Sequence, residues 1–294
     1  MLHLIQVGAG SGGMPVLDMV CRDPLVTRVT LIEPDVYKPH NVERHLFPPS
    51  AVGRLKAELA RQWLLERRPE LQIDLIVGDL LDPALAPRIE EAARSADIGV
   101  CAADNEPAKY HWDALMRRFA KPWTLGEVLA GGIGGFVHRF VPGGPCYGCV
   151  ASFLQRSVEV DSARAPDYSQ PGGPAPEVTI PASKAAIGVV AALHAQITLK
   201  LAAACGAGAA NPQAATPQAA TPQAATPQAA DFTSLLFTLQ QVPGIFEEAY
   251  KPYVFRVVRL AECLICRADP SGAAPEPQDL DAALDQALAR LGNA

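Results

Sequence analysis

The sequence predicts an α/β protein built on a largely parallel sheet, and three observations predict it. Short β-branched runs alternate with helical segments through the first half of the chain, the pattern of successive βαβ units. A glycine-rich loop, Gly8-Ala-Gly10-Ser-Gly-Gly13, follows the first run at once and opens the first helical segment. Two cysteine pairs, Cys146-x-x-Cys149 and Cys263-x-x-Cys266, lie far downstream and far from each other.

Taken in order, Leu2 to Val7 reads as a buried first strand that leads straight into the glycine loop. It has no basic n-region, so it does not read as a signal peptide. A helix is expected from about Met14 to Arg22, and the β-branched run Val26 to Ile32 as the second strand. Val52 to Arg68 reads as a helix, Leu71 to Val77 as the third strand, Pro83 to Ser95 as a helix and Ile98 to Ala103 as the fourth strand. A helix over Pro107 to Phe119, a strand over Trp123 to Val128 and, after a glycine-rich bend, an extended run over Ile133 to Phe140 complete this half.

Beyond Cys149 the order loosens. Residues 150–183 read as a mobile crossover, Pro-, Gly- and Ser-rich from Ser162 to Pro176. Ala185 to Ala210 is apolar enough to suggest a membrane span, but His194, Gln196 and Lys200 interrupt it, and it reads as a core helix. Between Gly206 and Asp231 stand four copies of Pro-Gln-Ala-Ala, starting at Pro212, Pro217, Pro222 and Pro227. Proline every fifth residue forbids a continuous helix or paired strand, so this reads as a flexible surface loop, open to neutral expansion. Phe232 to Leu239 and Tyr253 to Leu260 read as strands, and Leu280 to Leu291 as an amphipathic helix that packs or binds a partner. One unit over 1–267 and a tail over 268–294 are expected.

Composition narrows the function. A hydrophobic share of 49% can fill a core, although much of it is alanine. The formal net charge of -6 gives no basic footprint for nucleic acid. Seven cysteines, with Cys21, Cys101 and Cys205 outside the two pairs, do not form a secreted disulfide framework, so the cytoplasm is the expected compartment.

The chemistry-bearing residues cluster early. Gly8, Gly10 and Gly13 let backbone N–H groups and a helix N-terminus receive phosphate. Glu33, 20 residues past Gly13, stands where a carboxylate accepts from a ribose hydroxyl. A nicotinamide oxidoreductase fits these marks alone, but the following run does not suit one. It brings Asp35, Asn41, Arg44 and Lys56 near the loop's mouth, and fixed cations there suit nucleotidyl transfer from a triphosphate. Asp104-Asn105 ends the fourth strand, where an acid can hold Mg²⁺. Each of these taken singly also reads as a surface charge. The four paired cysteines suit a closed, structural zinc site, with a redox pair as the rival.

In this order the glycine loop, the pair Glu33 and Asp35, Asn41-x-x-Arg44, Gly53-x-x-Lys56, Asp104-Asn105 and the two cysteine pairs resemble the adenylating enzymes typified by ThiF and MoeB, which include the ubiquitin-activating enzymes. The resemblance covers roughly Leu2 to Arg267. It implies a Rossmann-like nucleotide-binding domain with a mixed sheet, a crossover loop and a C-terminal zinc knuckle. It assigns Glu33 to the ribose, Arg44 and Lys56 to the phosphates, Asn41 to their support and Asp104 to magnesium. The implied reaction is ATP-dependent adenylation of the C-terminal glycine of a ubiquitin-like or sulfur-carrier protein, by a homodimer, with a conjugating-enzyme-like partner as a further possibility.

Three departures stand out. Glu33 replaces the more usual Asp. The crossover from Ala151 to Lys184 contains no cysteine for a thioester, so the enzyme stops at the adenylate or a hydroxyl, Thr179 or Ser183, accepts the acyl group as an oxyester. The plainer reading of both hydroxyls is a helix cap. The chain also starts on its first strand, without the family's N-terminal helix that lends an arginine across the dimer, a role left to Arg22, Arg54 or a partner. A non-catalytic scaffold subunit is the rival from another class.

Overall fold

A computed structural model describes residues 1–154, 181–209 and 232–267. Thr179, the Pro-Gln-Ala-Ala copies and the helix expected over Leu280 to Leu291 lie outside the described residues.

Eight strands form one sheet. In chain order they are β1 (Leu2–Val7), β2 (Val26–Ile32), β3 (Gln72–Ile76), β4 (Ile98–Cys101), β5 (Trp123–Val128), β6 (Gly134–Phe140), β7 (Ser234–Thr238) and β8 (Pro252–Phe255). Their spatial order is β3-β2-β1-β4-β5-β6-β7-β8. The first five run parallel; β6, β7 and β8 are antiparallel to their neighbours. The mixed sheet is therefore as expected, and β1, β2 and β5 have the predicted bounds.

Helices cover both faces, as a parallel sheet requires. α1 (Gly13–Cys21) and α2 (Lys56–Leu65) lie on one, where Leu4, Val29 and Leu31 of the sheet meet Met14, Leu17, Ala60 and Leu64. α3 (Ala86–Ser95), α4 (Glu106–Arg118) and the short α5 (Tyr147–Phe153) lie on the other, over Ile5, Ile32 and Leu125. α6 (Lys184–Ala209) joins the first face and packs on α1, β5 and β6. This helix is long and apolar enough to cross a membrane, yet Val190, Ala191, Ala195 and Leu201 are in the core. His194 Nε2 bonds Thr124 Oγ1 at 2.9 Å, Thr124 bonds Thr198 Oγ1 at 2.7 Å, and Thr198 donates to the His194 carbonyl at 2.9 Å. That chain satisfies the hydroxyls of Thr124 and Thr198 between helix and sheet.

Three expectations need correction. The second helix starts at Lys56, not Val52, because Pro49–Ala51 forms a 3-10 turn and Gly53 adopts φ +92°, a left-handed conformation no helix continues through. The last strand ends at Phe255 and not Leu260, because the chain must leave the sheet to carry Cys263 to the other cysteines. Residues 150–153, expected within the crossover, complete α5, while residues 155–180 of that stretch lie outside the described residues.

Candidate functional site

The carboxyl ends of β1, β2 and β4 open on one edge of the sheet, the edge where open α/β sheets take ligands. There the glycine loop turns from β1 into α1. Gln6, the last polar residue of the buried strand, donates through Nε2 to the carbonyls of Gly8 at 2.8 Å and Gly13 at 2.9 Å. A side chain on Gly13 would stand 2.4 Å from the Gly8 oxygen, so the two limbs of the loop touch only because both are glycine. Ala102, just past β4, closes the back of the loop: a Cβ on Gly8 would lie 2.6 Å from its carbonyl.

One peptide of the loop is gripped from both sides. The Ala9 N–H donates to Glu33 Oε2, and its carbonyl accepts from His45 Nε2 at 2.8 Å. Glu33, only 4% exposed, also accepts from the Asp35 N–H at 2.9 Å. Burial raises its pKa, against the opposing pull of Lys56. His45 sits between Tyr37 and Phe47, stacked on the latter at 4.4 Å, and its Nδ1 accepts from the Leu46 N–H at 3.0 Å. Burial lowers its pKa to about 4, so the ring is neutral at pH 7 and these two bonds fix its Nε2–H tautomer.

The predicted charges take up positions around this loop. Asp35 and Lys56 are held together by backbone pairing of the segment after β2 with residues 53–56, and Lys56 Nζ meets Asp35 Oδ2 at 2.6 Å. Lys56 is almost fully buried, whereas Asp35 is exposed. Asn41 closes the 3-10 turn Pro39–Asn41 by accepting from the Lys38 N–H at 2.9 Å, which sets the path to Arg44. Arg44, His40 and Glu43 form one wall of a cleft of ≈ 450 Å³; Pro181 through Lys184 form the other. Asp104 is exposed just beyond β4, and its neighbour Asn105 caps α4 by accepting from the Ala108 N–H at 2.9 Å. Ser183 faces the same cleft and caps α6, its Oγ accepting from the Ala186 N–H at 3.1 Å. Gly10 leaves open space at the loop's mouth.

Sequence reasoning passed over Gln6 and His45. The signal was there: a polar residue ending a buried strand beside Gly8, and an imidazole set between Tyr37 and Phe47. It also passed over a second polar group at the far end of β5. Lys109 Nζ meets Glu106 at 2.8 Å and Glu127 at 2.7 Å, Glu127 meets His138 Nε2 at 2.9 Å, and His138 Nδ1 meets Ser234 Oγ at 2.8 Å. The Tyr147 hydroxyl donates to Glu106.

The four paired cysteines converge. Their sulfurs lie within 4.8 Å of one another, with Cys146 at 3.7 Å from Cys149 and 3.6 Å from Cys263, and Cys149 at 3.5 Å from Cys266. A tetrahedral zinc with Zn–S near 2.3 Å places sulfurs about 3.8 Å apart, so the set fits that ion and is too wide for disulfides. Asp113, wholly buried, accepts from the Tyr147 N–H at 3.0 Å and from Arg117 at 2.9 Å; Arg117 reaches the Ile265 carbonyl at 3.4 Å. Cys21 and Cys101 are buried, with thiol pKa values pushed up to about 12, and serve as apolar filling.

Solved structures share this architecture. E. coli MccB with ATP superimposes with a TM-score of 0.60 at 18% identity, over 90% of this chain and 66% of that one. E. coli MccB with AMPCPP and MccA gives 0.63, again at 18% identity, over 90% and 66%. PaaA gives 0.59 at 12% identity, over 88% and 65%. The chain thus spans about two thirds of the length of these proteins. No curated protein matches it significantly. The ThiF family matches over residues 2–234, a stretch that runs from β1 to the first residue of β7 and contains every strand framing the glycine loop. On that match the chain belongs to the ThiF family.

Proposed function

We propose that this protein is an ATP-dependent adenylyltransferase that activates the C-terminal carboxylate of a peptide or small protein. A carboxylate oxygen attacks the α-phosphorus of ATP, the bond from that phosphorus to the β-bridging oxygen breaks, and pyrophosphate leaves. The observation that carries the reading is the doubly gripped Ala9 peptide, which holds the loop and the start of α1 ready for phosphate without reorganisation. Family membership and the binding of ATP by MccB support it.

In this reading Arg44 and Lys56 neutralise the phosphates, Asp104 holds Mg²⁺, and Glu33 orders the loop while its remaining lone pairs meet the ribose. MccB is bound to the peptide MccA, which supports a peptide or small-protein substrate here; a ubiquitin-like or sulfur-carrier protein ending in glycine is the form we propose. The cysteine knuckle holds zinc and stands apart from the chemistry. The capping bond of Ser183 supports its structural role, and oxyester formation there is an outcome to be tested.

The test is ATP–pyrophosphate exchange with proteins ending in glycine. Exchange that depends on such a protein and falls at least about 100-fold in Asp104→Ala is expected. Full exchange in that variant would remove Asp104 from the metal site, and ATP binding without exchange for any carboxylate would favour a scaffold subunit. A reductant-resistant adduct lost in Ser183→Ala would establish the oxyester.

A further inference from the structure

Lys184 opens α6. Its Nζ is shielded from solvent and, among the described residues, has no hydrogen-bond partner, whereas lysine ammonium groups are ordinarily hydrated or paired. Burial draws its pKa below that of an ordinary lysine. The side chain lines the ≈ 450 Å³ cleft across from Arg44. Its charge also reaches His45, the residue that holds the Ala9 carbonyl. One turn along α6, Ile187 stands 4.0 Å from the position a Cβ would take on Gly12. The first turn of α6 therefore rests against the glycine loop, and the unpaired ammonium stands at the border between loop and cleft.

We propose that Lys184 receives the β- and γ-phosphates of ATP from the α6 side, opposite Arg44, and so is a third cation of the nucleotide site. The side chain is half-buried, but its ammonium is cut off from water without a partner among the described residues, and a polyanion entering the cleft would offset the cost of that desolvation at the moment of binding. The inference rests on the adenylyltransferase reading and adds what α6 contributes to it. It also distinguishes the ends of the nucleotide: Lys184 contributes nothing to adenosine or to the α-phosphate.

The experiment uses the full chain and three proteins: wild type, Lys184→Met and Lys184→Arg. Dissociation constants for AMPCPP and for AMP are measured by calorimetry, with melting temperatures alongside. Lys184→Met is expected to weaken AMPCPP about 10- to 100-fold, the worth of one charge-assisted hydrogen bond, with AMP changed less than about twofold. Lys184→Arg should retain most of the affinity. The Met variant should melt no lower than wild type, because it removes a half-buried ammonium that has no partner among the described residues. Unchanged AMPCPP affinity, or equal loss for AMP and AMPCPP, overturns the proposal. A rise confined to the KM of the acyl substrate in exchange also overturns it and gives Lys184 to the substrate carboxylate. If wild type binds neither nucleotide, the adenylyltransferase reading itself fails, a result separate from the others.

Discussion

At the scale of single residues, the glycine loop depends on steric room and on one neutral imidazole. Gly13→Ala places a methyl 2.4 Å from the Gly8 oxygen, and we expect a loss of about 2 kcal/mol in denaturant unfolding together with weakened ATP binding. Gly10→Ala meets no protein atom within 4 Å, so it should leave stability nearly unchanged and reduce nucleotide affinity alone. His45 and His194 have native pKa values lowered by burial to about 4 and about 3. Between those values and 6.5 the unfolded chain binds protons the native state does not, so stability is full above pH 6.5 and falls as the pH drops. His45 alone accounts for a loss on the order of 3 kcal/mol by pH 4. A melting-temperature series from pH 7.5 to 4.5 should show the decline, and His45→Gln, which retains an N–H donor and binds no proton, should reduce it by about half and leave the part due to His194. These partners were hidden from sequence reading for a physical reason: Glu33 and Asn41 were recognised by type and position, but which oxygen accepts from which backbone N–H depends on a loop path that spacing does not specify.

Among the elements, those with strong patterns were legible and those set by long-range ties were not. Short, mostly apolar runs bounded by turn residues located β1, β2 and β5 to the residue, because central parallel strands bury both faces. The start of α2 was missed because Gly53 and the bridge between Val36 and Leu55 override helical periodicity. The end of β8 was missed because the knuckle, 117 residues away in sequence from its first half, decides where the chain leaves the sheet. The same tie makes a prediction. The purified protein should contain one zinc per chain, and chelation or Cys263→Ser should lower the melting temperature by about 10 °C or more. ATP affinity of the protein that stays folded should change less than about threefold, since the knuckle packs with α4 and α5 on the face of the sheet opposite α1 and α6. A large loss of affinity with intact fold would place the metal in the chemistry.

For the whole molecule, the sheet divides into a parallel half that carries the glycine loop and an antiparallel half that carries the knuckle, and α6 spans the junction. Nucleotide should therefore slow hydrogen exchange at residues 8–14, 41–56 and 183–190 and leave 252–266 unaffected; protection at 252–266 by ATP alone would contradict the division. The junction has its own safeguard in the run from Lys109 through Glu127 and His138 to Ser234. Side chains alternate along a strand, so a one-residue slip of β6 on β5 would turn His138 to the α6 side, among Val190 and Ile197, and strip Glu127 of one partner. Each buried group left without its bond costs about 1–3 kcal/mol, as much as many core substitutions. The apolar pattern also penalises such a slip, since it would take Val137 away from Val190 and Ile197. Here a slip also breaks the bonds of Glu127, His138 and Ser234, so the native register of β6 between β5 and β7 is held by buried polar groups as well as by apolar packing.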